Sequence, residues 1–227
     1  IAFIKHLNGI VAKRDPGAMM IAEESTAWPK VTGDVADDGL GFTYKWNMGW
    51  MHDFLEYMKC DPIFRKYHQN QITFSFMYAY SENYVLVLSH DEVVHLKKSM
   101  IYKMPGNMPD KFGNLRAAYG LMMMHPGKKL LFMGQDFAQT AEWNEAKSLD
   151  WYLLERYPEH QQLNRYYKDL LHFYHDYPAL YELDNSPEGF AWINGSDAEH
   201  NMLTFCRMTK DKKHCLLCHF NFSPVAY

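Results

Sequence analysis

The sequence predicts an α/β fold built on a parallel sheet and followed by a shorter antiparallel unit, and three observations carry that reading. Two apolar runs end in acidic clusters: Ala18-Met19-Met20-Ile21 leads into Ala22-Glu23-Glu24-Ser25, and Tyr84-Val85-Leu86-Val87-Leu88 leads into Ser89-His90-Asp91-Glu92. A strand, loop and helix pattern recurs four times, which implies parallel strands joined by right-handed crossovers. From Gly189 the helical spacing ends and three strand patterns follow one another across polar turns. Buried strands that deliver carboxylates at their carboxyl ends are where barrel and doubly wound α/β enzymes place their chemistry. The chain therefore reads as an enzyme of carboxylate chemistry.

The elements follow in order. Phe3, Ile4, Leu7, Ile10 and Val11 stand at helical spacing over Ile1 to Arg14, and Asp15-Pro16-Gly17 stops the helix. No Ser, Thr, Asp or Asn caps its start, so the chain is expected to begin inside an element. Ala18 to Ala22 is a short buried strand, and a loop rich in Gly and Asp leads to a second strand over Phe42 to Trp46. A helix is expected from about Met48 to Met58 and another stretch of helical spacing from about Gln71 to Tyr80. Tyr84 to Leu88 is the third strand. Asp110 is the expected N-cap of a helix carrying Phe112, Leu115, Ala118, Tyr119 and Met122, which Pro126-Gly127 ends. Lys129 to Gly134 is the fourth strand, and a last helix runs from about His160 to Tyr177. The antiparallel strands are Phe190 to Ile193, Met202 to Met208 and His214 to Phe222. They would leave an uncovered sheet face at Tyr227, so both ends of the chain read as cut.

Composition narrows the function. A chain of 227 residues, 48% hydrophobic and 16% aromatic, has enough apolar surface for a sizeable core. Its net charge of -4, from 23 basic and 27 acidic residues, gives no electrostatic reason to expect nucleic acid or an anionic membrane as partner. A neutral or weakly charged substrate fits better. No apolar stretch approaches the roughly 20 residues a membrane span needs, no signal peptide opens the chain, and four cysteines are too few for a disulfide scaffold. A cytoplasmic location is expected.

Acids at strand ends are often only solvated loop residues or helix caps. Two such clusters in successive strand-to-helix positions favour function, because glycosyl chemistry needs one acid to protonate the leaving oxygen and a second carboxylate across the sugar. His90 beside the second acid adds a donor for sugar hydroxyls. Two other patterns are declined. His90 and His95 are five apart, whereas zinc ligands on one helical face need positions i and i+4. Cys215-Leu216-Leu217-Cys218-His219 spells a haem attachment pattern but lies in a strand, where residues three apart face opposite ways. Among the aromatics, Trp28, Tyr44, Trp46, Trp50 and Trp143 are either sugar platforms or ordinary packing. Tyr44 and Trp46 are the better placed for substrate, at an expected strand end.

A resemblance makes this specific. Ile21-Ala22-Glu23-Glu24-Ser25-Thr26, Gly41-Phe42-Thr43-Tyr44-Lys45-Trp46-Asn47-Met48-Gly49-Trp50-Met51-His52-Asp53, Leu88-Ser89-His90-Asp91-Glu92-Val93-Val94-His95 and Leu131-Phe132-Met133-Gly134-Gln135-Asp136-Phe137 stand in the order and spacing of bacterial 1,4-alpha-glucan (glycogen) branching enzymes. The resemblance, to that branch of the alpha-amylase superfamily, runs over essentially all 227 residues. Two departures are Leu96, where the family usually has Gly, and Gln135-Asp136, where Asn-Glu or Ser-Glu is common. If the loop after His95 requires positive φ, Leu96 resists it.

The resemblance implies half of a TIM-type (β/α)8 barrel, strands five to eight, over residues 1–183, then the first strands of a C-terminal β-domain over 184–227. It implies Glu23 as general acid and base, Asp91 as the carboxylate that binds hydroxyls of the transferred glucose, and His90 as its hydrogen-bonding neighbour. The family's aspartate nucleophile would lie upstream of Ile1, so the expected activity is cleavage of an α-1,4-glucan and transfer to a 6-hydroxyl only when the upstream half of the barrel is supplied. The implied partner is α-glucan, and that chemistry requires neither metal nor organic cofactor. Alternatives are an α-glucan hydrolase of the same superfamily and a non-catalytic glucan-binding fragment.

Overall fold

The two apolar runs ahead of the acidic clusters stand in one parallel sheet with a third strand between them, so the clusters follow alternate strands and not the successive ones expected. In the computed structural model, which describes residues 1–227, four strands stand in the order β1 (Ile21–Ala22), β2 (Tyr44–Trp46), β3 (Tyr84–Leu88) and β4 (Lys128–Leu131). All neighbours are parallel, with Ala22 opposite Lys45, Trp46 opposite Val85 and Leu88 opposite Leu131. Spatial order equals chain order, so each crossover moves one strand along, the pattern of an α/β barrel wall. β1 holds only two of the five residues expected, Ile21 and Ala22. β3 is buried from Val85 to Leu88, as a strand covered on both faces must be.

The helices pack outside this sheet. α1 (Ala2–Arg14) precedes β1 and α2 (Met48–Lys59) follows β2. A 3-10 turn over Pro62–Tyr67 comes first, and the stretch expected as one run from about Gln71 to Tyr80 forms two short helices, α3 (Gln69–Thr73) and α4 (Ser75–Tyr78). α5 (Met100–Lys103) and α6 (Met108–Met124) link β3 to β4, and α7 (Tyr152–Arg156) and α8 (Pro158–Asp176) follow it. The N-cap of α6 is Asn107 rather than Asp110. Their side chains accept each other's backbone N–H in a capping box, and Pro109 fits inside the first turn, so the helix starts earlier than expected. α1 does not bury its apolar spacing: Phe3 is 75% exposed, while Asn8 is buried with Nδ2 donating to Leu40 O at 2.7 Å.

β5 (Phe190–Asn194), β6 (Met202–Met208) and β7 (Cys215–Asn221) form an antiparallel sheet, with Phe205 opposite Trp192 and Cys218. Cys215 is exposed and Cys218 buried, as opposite faces of one strand require, and all four cysteines are free. Leu203, Phe205, Cys218 and Phe222 join Phe54, Leu86, Leu115 and Tyr119 in one continuous hydrophobic core, so the two sheets share an interior. No helix is long and apolar enough to cross a membrane.

Candidate active site

The carboxyl edge of the parallel sheet collects the residues that the sequence singles out. Glu23 is the residue after β1 and is exposed. Its neighbour Glu24 is committed elsewhere: Lys45, a buried residue of β2, donates from Nζ to Glu24 Oε2 at 2.7 Å and to Thr26 O at 2.9 Å. Thr26 N–H donates to the other Glu24 oxygen at 2.7 Å, closing the loop after β1 on itself. Partial burial pushes the Glu24 carboxyl up, but Lys45 and Thr26 outweigh it and hold it below its ordinary range. Of the two adjacent acids, the structure leaves Glu23 free and spends Glu24 on the loop.

Trp46 ends β2 at the same edge, whereas Tyr44 begins that strand, two residues back. The expectation that both stand at a strand end is therefore corrected for Tyr44, which lies ~6–7 Å down the strand. Both rings pack against the main core. Trp46 also lines a cavity of about 550 Å³ with Trp28, Glu24 and Lys45, and Trp28 is 47% exposed. Trp50, by contrast, is buried and stacked on Phe54 at 4.6 Å between ring centroids.

After β3, His90 and Asp91 lie in a single 3-10 turn. His90 Nε2 is 3.1 Å from Asp91 Oδ1, and both side chains are partly exposed. The imidazole is seated on two aromatic rings: Trp143 edge-on at 5.4 Å and Phe132, which directly follows β4, at 6.0 Å. The following backbone is unusual. Leu96 and Lys98 adopt φ of 69° and 65°, the left-handed region that costs a side-chain-bearing residue ~1–2 kcal/mol. The sequence departure at Leu96 thus falls on a position whose backbone favours Gly, and Leu adopts that backbone nonetheless.

Sequence reasoning missed the side chain that holds this turn. Glu142, on the loop after β4, accepts Leu96 N–H at 3.1 Å on Oε2 and Lys98 N–H at 2.7 Å on Oε1. No local periodicity signals a contact between residues so far apart in the chain. No group of three or more His, Cys, Asp or Glu side chains converges in a way that would hold a metal ion.

Known proteins supply an independent comparison. Over 227 residues the chain is 51% identical to a protein of Shewanella frigidimarina described as 1,4-alpha-glucan branching enzyme GlgB. Proteins of the same description from Pseudomonas putida and Halothermothrix orenii are 53% and 54% identical over 225 and 224 residues. The chain is related along its whole length to 1,4-alpha-glucan branching enzymes. It spans about a third of these relatives: 30% of the first two and 35% of the third. No protein-family model matches the chain.

Among solved structures, a cyclomaltodextrinase superposes with a TM-score of 0.65 at 14% identity, covering 100% of this chain and 37% of its own. The alpha-amylase from H. orenii superposes at 0.61 and 13% identity, covering 97% and 46%. At those identities the likeness speaks for the fold, which is that of alpha-amylase-type proteins. The branching-enzyme relationship agrees with the family expected from the motifs, and the likeness in fold agrees with the parallel-sheet architecture expected.

Proposed function

We propose that this chain supplies one side of a glucan-branching site, with Glu23 as general acid and base and Asp91 and His90 as the group that holds the transferred glucose. The observation that carries the reading is that Glu23 and the His90–Asp91 pair follow the carboxyl ends of strands in one parallel sheet, in a chain 51% identical to a branching enzyme. Glu23 would give its proton to the glycosidic oxygen as the C1–O bond breaks, then take a proton from the incoming 6-hydroxyl as the new bond forms. Asp91 would accept sugar hydroxyls and oppose the positive charge developing at C1, with His90 orienting it. Trp46 and the exposed Trp28 offer rings on which the apolar face of a glucose can stack. Tyr44, lower on β2, would support Trp46 in the substrate-binding role assigned to both.

The reading places the covalent nucleophile outside these 227 residues and takes residues 1–183 as half of a (β/α)8 barrel, with 184–227 as the start of a β-domain. The partner needed for turnover is then the other half of the barrel, docked along the free edges of β1 and β4, and the substrate is α-glucan in the cytoplasm.

The test is formation of α-1,6 linkages from linear amylose, followed by proton NMR, with the chain alone and mixed with a separately produced segment matching the upstream part of its relatives. The expected result is no branching alone, branching on complementation, and loss of branching with Glu23→Gln. Branching that survives Glu23→Gln would overturn the acid-base assignment. Reducing sugar without new branches would make the protein a hydrolase instead.

A further inference from the structure

The loop that carries His90 and Asp91 is tied down from outside itself, and by two consecutive residues. Trp143 N–H donates to Val93 O at 2.7 Å, and the Trp143 ring meets His90 at 5.4 Å. The preceding residue, Glu142, accepts the amides of Leu96 and Lys98. His95 Nδ1 lies 3.6 Å from the same carboxylate. Together these contacts fasten the loop at its ring, its middle and its far end. The two loops also close over a cavity of about 50 Å³ bordered by Val93, Met100, Trp143 and Leu149.

The carboxylate suits this work. Successive N–H groups in a turn that enters the left-handed region form a concavity that favours an anion. Leu96 and Lys98 are both in that region, and Glu142 places one oxygen on each amide. The Lys98 N–H, opposed by partial burial and aided by Leu96 N–H, holds the Glu142 carboxyl below its ordinary range, as charge-assisted bonds do. A flexible loop would lose most of the benefit of carrying Asp91, because a misplacement of about 1 Å at a reacting sugar costs on the order of a hundredfold in rate.

We propose that Glu142 is a positioning residue of the glucan site: by clasping the Leu96 and Lys98 amides from the neighbouring strand's loop, it fixes the turn that presents Asp91 and His90. The proposal rests on the assignment of those two residues to the glucan site. Glu142 itself touches no reacting atom. The clasp also makes the loops after β3 and β4 one unit, so a change in either is transmitted to His90.

The experiment is done in the protein at its full natural length, comparing Glu142→Ala and the conservative Glu142→Gln with the unaltered protein. Hydrogen exchange across residues 93–98 reads the clasp, and initial branching rates against amylose concentration read positioning. Expected for Glu142→Ala is exchange at least about tenfold faster in that loop, with β3 protection unchanged. The rate constant should fall about tenfold at constant KM, the split expected when transition-state placement and not ground-state binding is lost. Glu142→Gln, which keeps one acceptor oxygen, should fall between. Unchanged loop exchange in both variants would overturn the clasp, and faster exchange at an unchanged rate constant would overturn the positioning role. An unaltered protein that forms no branches would sink the proposed function instead, while the exchange comparison still decides whether Glu142 holds the loop.

Discussion

Lys45 Nζ lies 2.7 Å from Glu24 Oε2, joining the middle of β2 to the loop that follows β1. The lysine side chain is 6% exposed and the glutamate 27%. This pair separates the duties of two adjacent acids, since Glu24 cannot move toward the sheet edge without abandoning a buried ammonium.

Replacement Lys45→Met is therefore expected to destabilise the fold by about 1–2 kcal/mol and to loosen residues 23–29. Glu24 is a carboxylate with a depressed folded-state pKa, so its contribution is complete above the unfolded value near 4.3 and lost as pH falls below it. Urea unfolding at pH 7 and pH 3.5 checks this. The wild-type advantage over Lys45→Met should shrink at the lower pH, and an equal difference at both would refute the ion-pair account.

A second buried pair joins the two sheets. Arg207, on β6, is fully buried and donates to Asp184 Oδ1 at 2.9 Å, Met124 O at 2.8 Å and Leu180 O at 3.1 Å. Asp184 also accepts from Lys128 Nζ, from Tyr174 OH and from Gly127 N–H at the entry to β4. Burial pushes the Asp184 carboxyl up, yet Lys129, Arg207 and Lys128 outweigh it and keep it ionised below its ordinary range. Removing one partner strands the other, so Asp184→Asn should cost about 3–5 kcal/mol. Replacing both Asp184 and Arg207 by apolar residues should cost less than the sum of the single changes, a coupling that a double-mutant cycle in urea measures.

What the sequence made legible, and what it hid, divides along range. The run ending at Leu88 and the switch to antiparallel strands at Gly189 are local patterns that appear where expected, and the run ending at Ala22 appears in its last two residues. The contacts that shape the site are not local: Lys45 reaches Glu24 across 21 residues, Arg207 reaches Asp184 across 23, and Glu142 reaches Leu96 across 46. Charged side chains of this kind look like solvated surface in a one-dimensional reading, because nothing in their spacing names a partner. Leu96 was visible as a departure from a usual Gly that matters only if the loop requires positive φ. That Leu96 adopts such a φ, and which carboxylate accepts its amide, needed the fold.

The junction between β2 and α2 offers a smaller test. Asn47 follows Trp46 directly, and its Oδ1 accepts Trp50 N–H at 2.9 Å as the N-cap of α2. Asn47→Ala should cost about 1 kcal/mol, whereas Asn47→Ser, which keeps a short acceptor at the N-cap and brings no charge into a site only 3% exposed, should cost less. Thermal unfolding of both variants distinguishes a cap from a residue that merely fills space.

His125 gives the fold a built-in response to mild acid. It is 1% exposed, with Nδ1 2.8 Å from Pro126 O and Nε2 2.9 Å from Ser75 Oγ, and its ring sits 4.0 Å from that of Phe76. The Pro126 carbonyl can only accept, so Nδ1 carries the proton and Nε2 accepts from the serine, a neutral ring with both nitrogens satisfied. Burial pushes its pKa down to about 3, with Lys129 and Arg207 adding repulsion against the Pro126 hydrogen bond. Below pH ~6.5 the unfolded chain takes up a proton that the folded one refuses, so stability is full above that value and falls steadily toward pH 3. The loss should reach about 2 kcal/mol by pH 5. Lys129, pushed down to about 7 by burial, is about half charged in the fold at pH 7 and fully charged in the unfolded chain, so it adds a slope of the same sign that dies out by about pH 6. Urea midpoints from pH 6 to pH 5 should therefore fall in the wild type and stay nearly level in His125→Gln, whose side chain does not titrate. Parallel slopes in the two proteins would assign the acid sensitivity to another group.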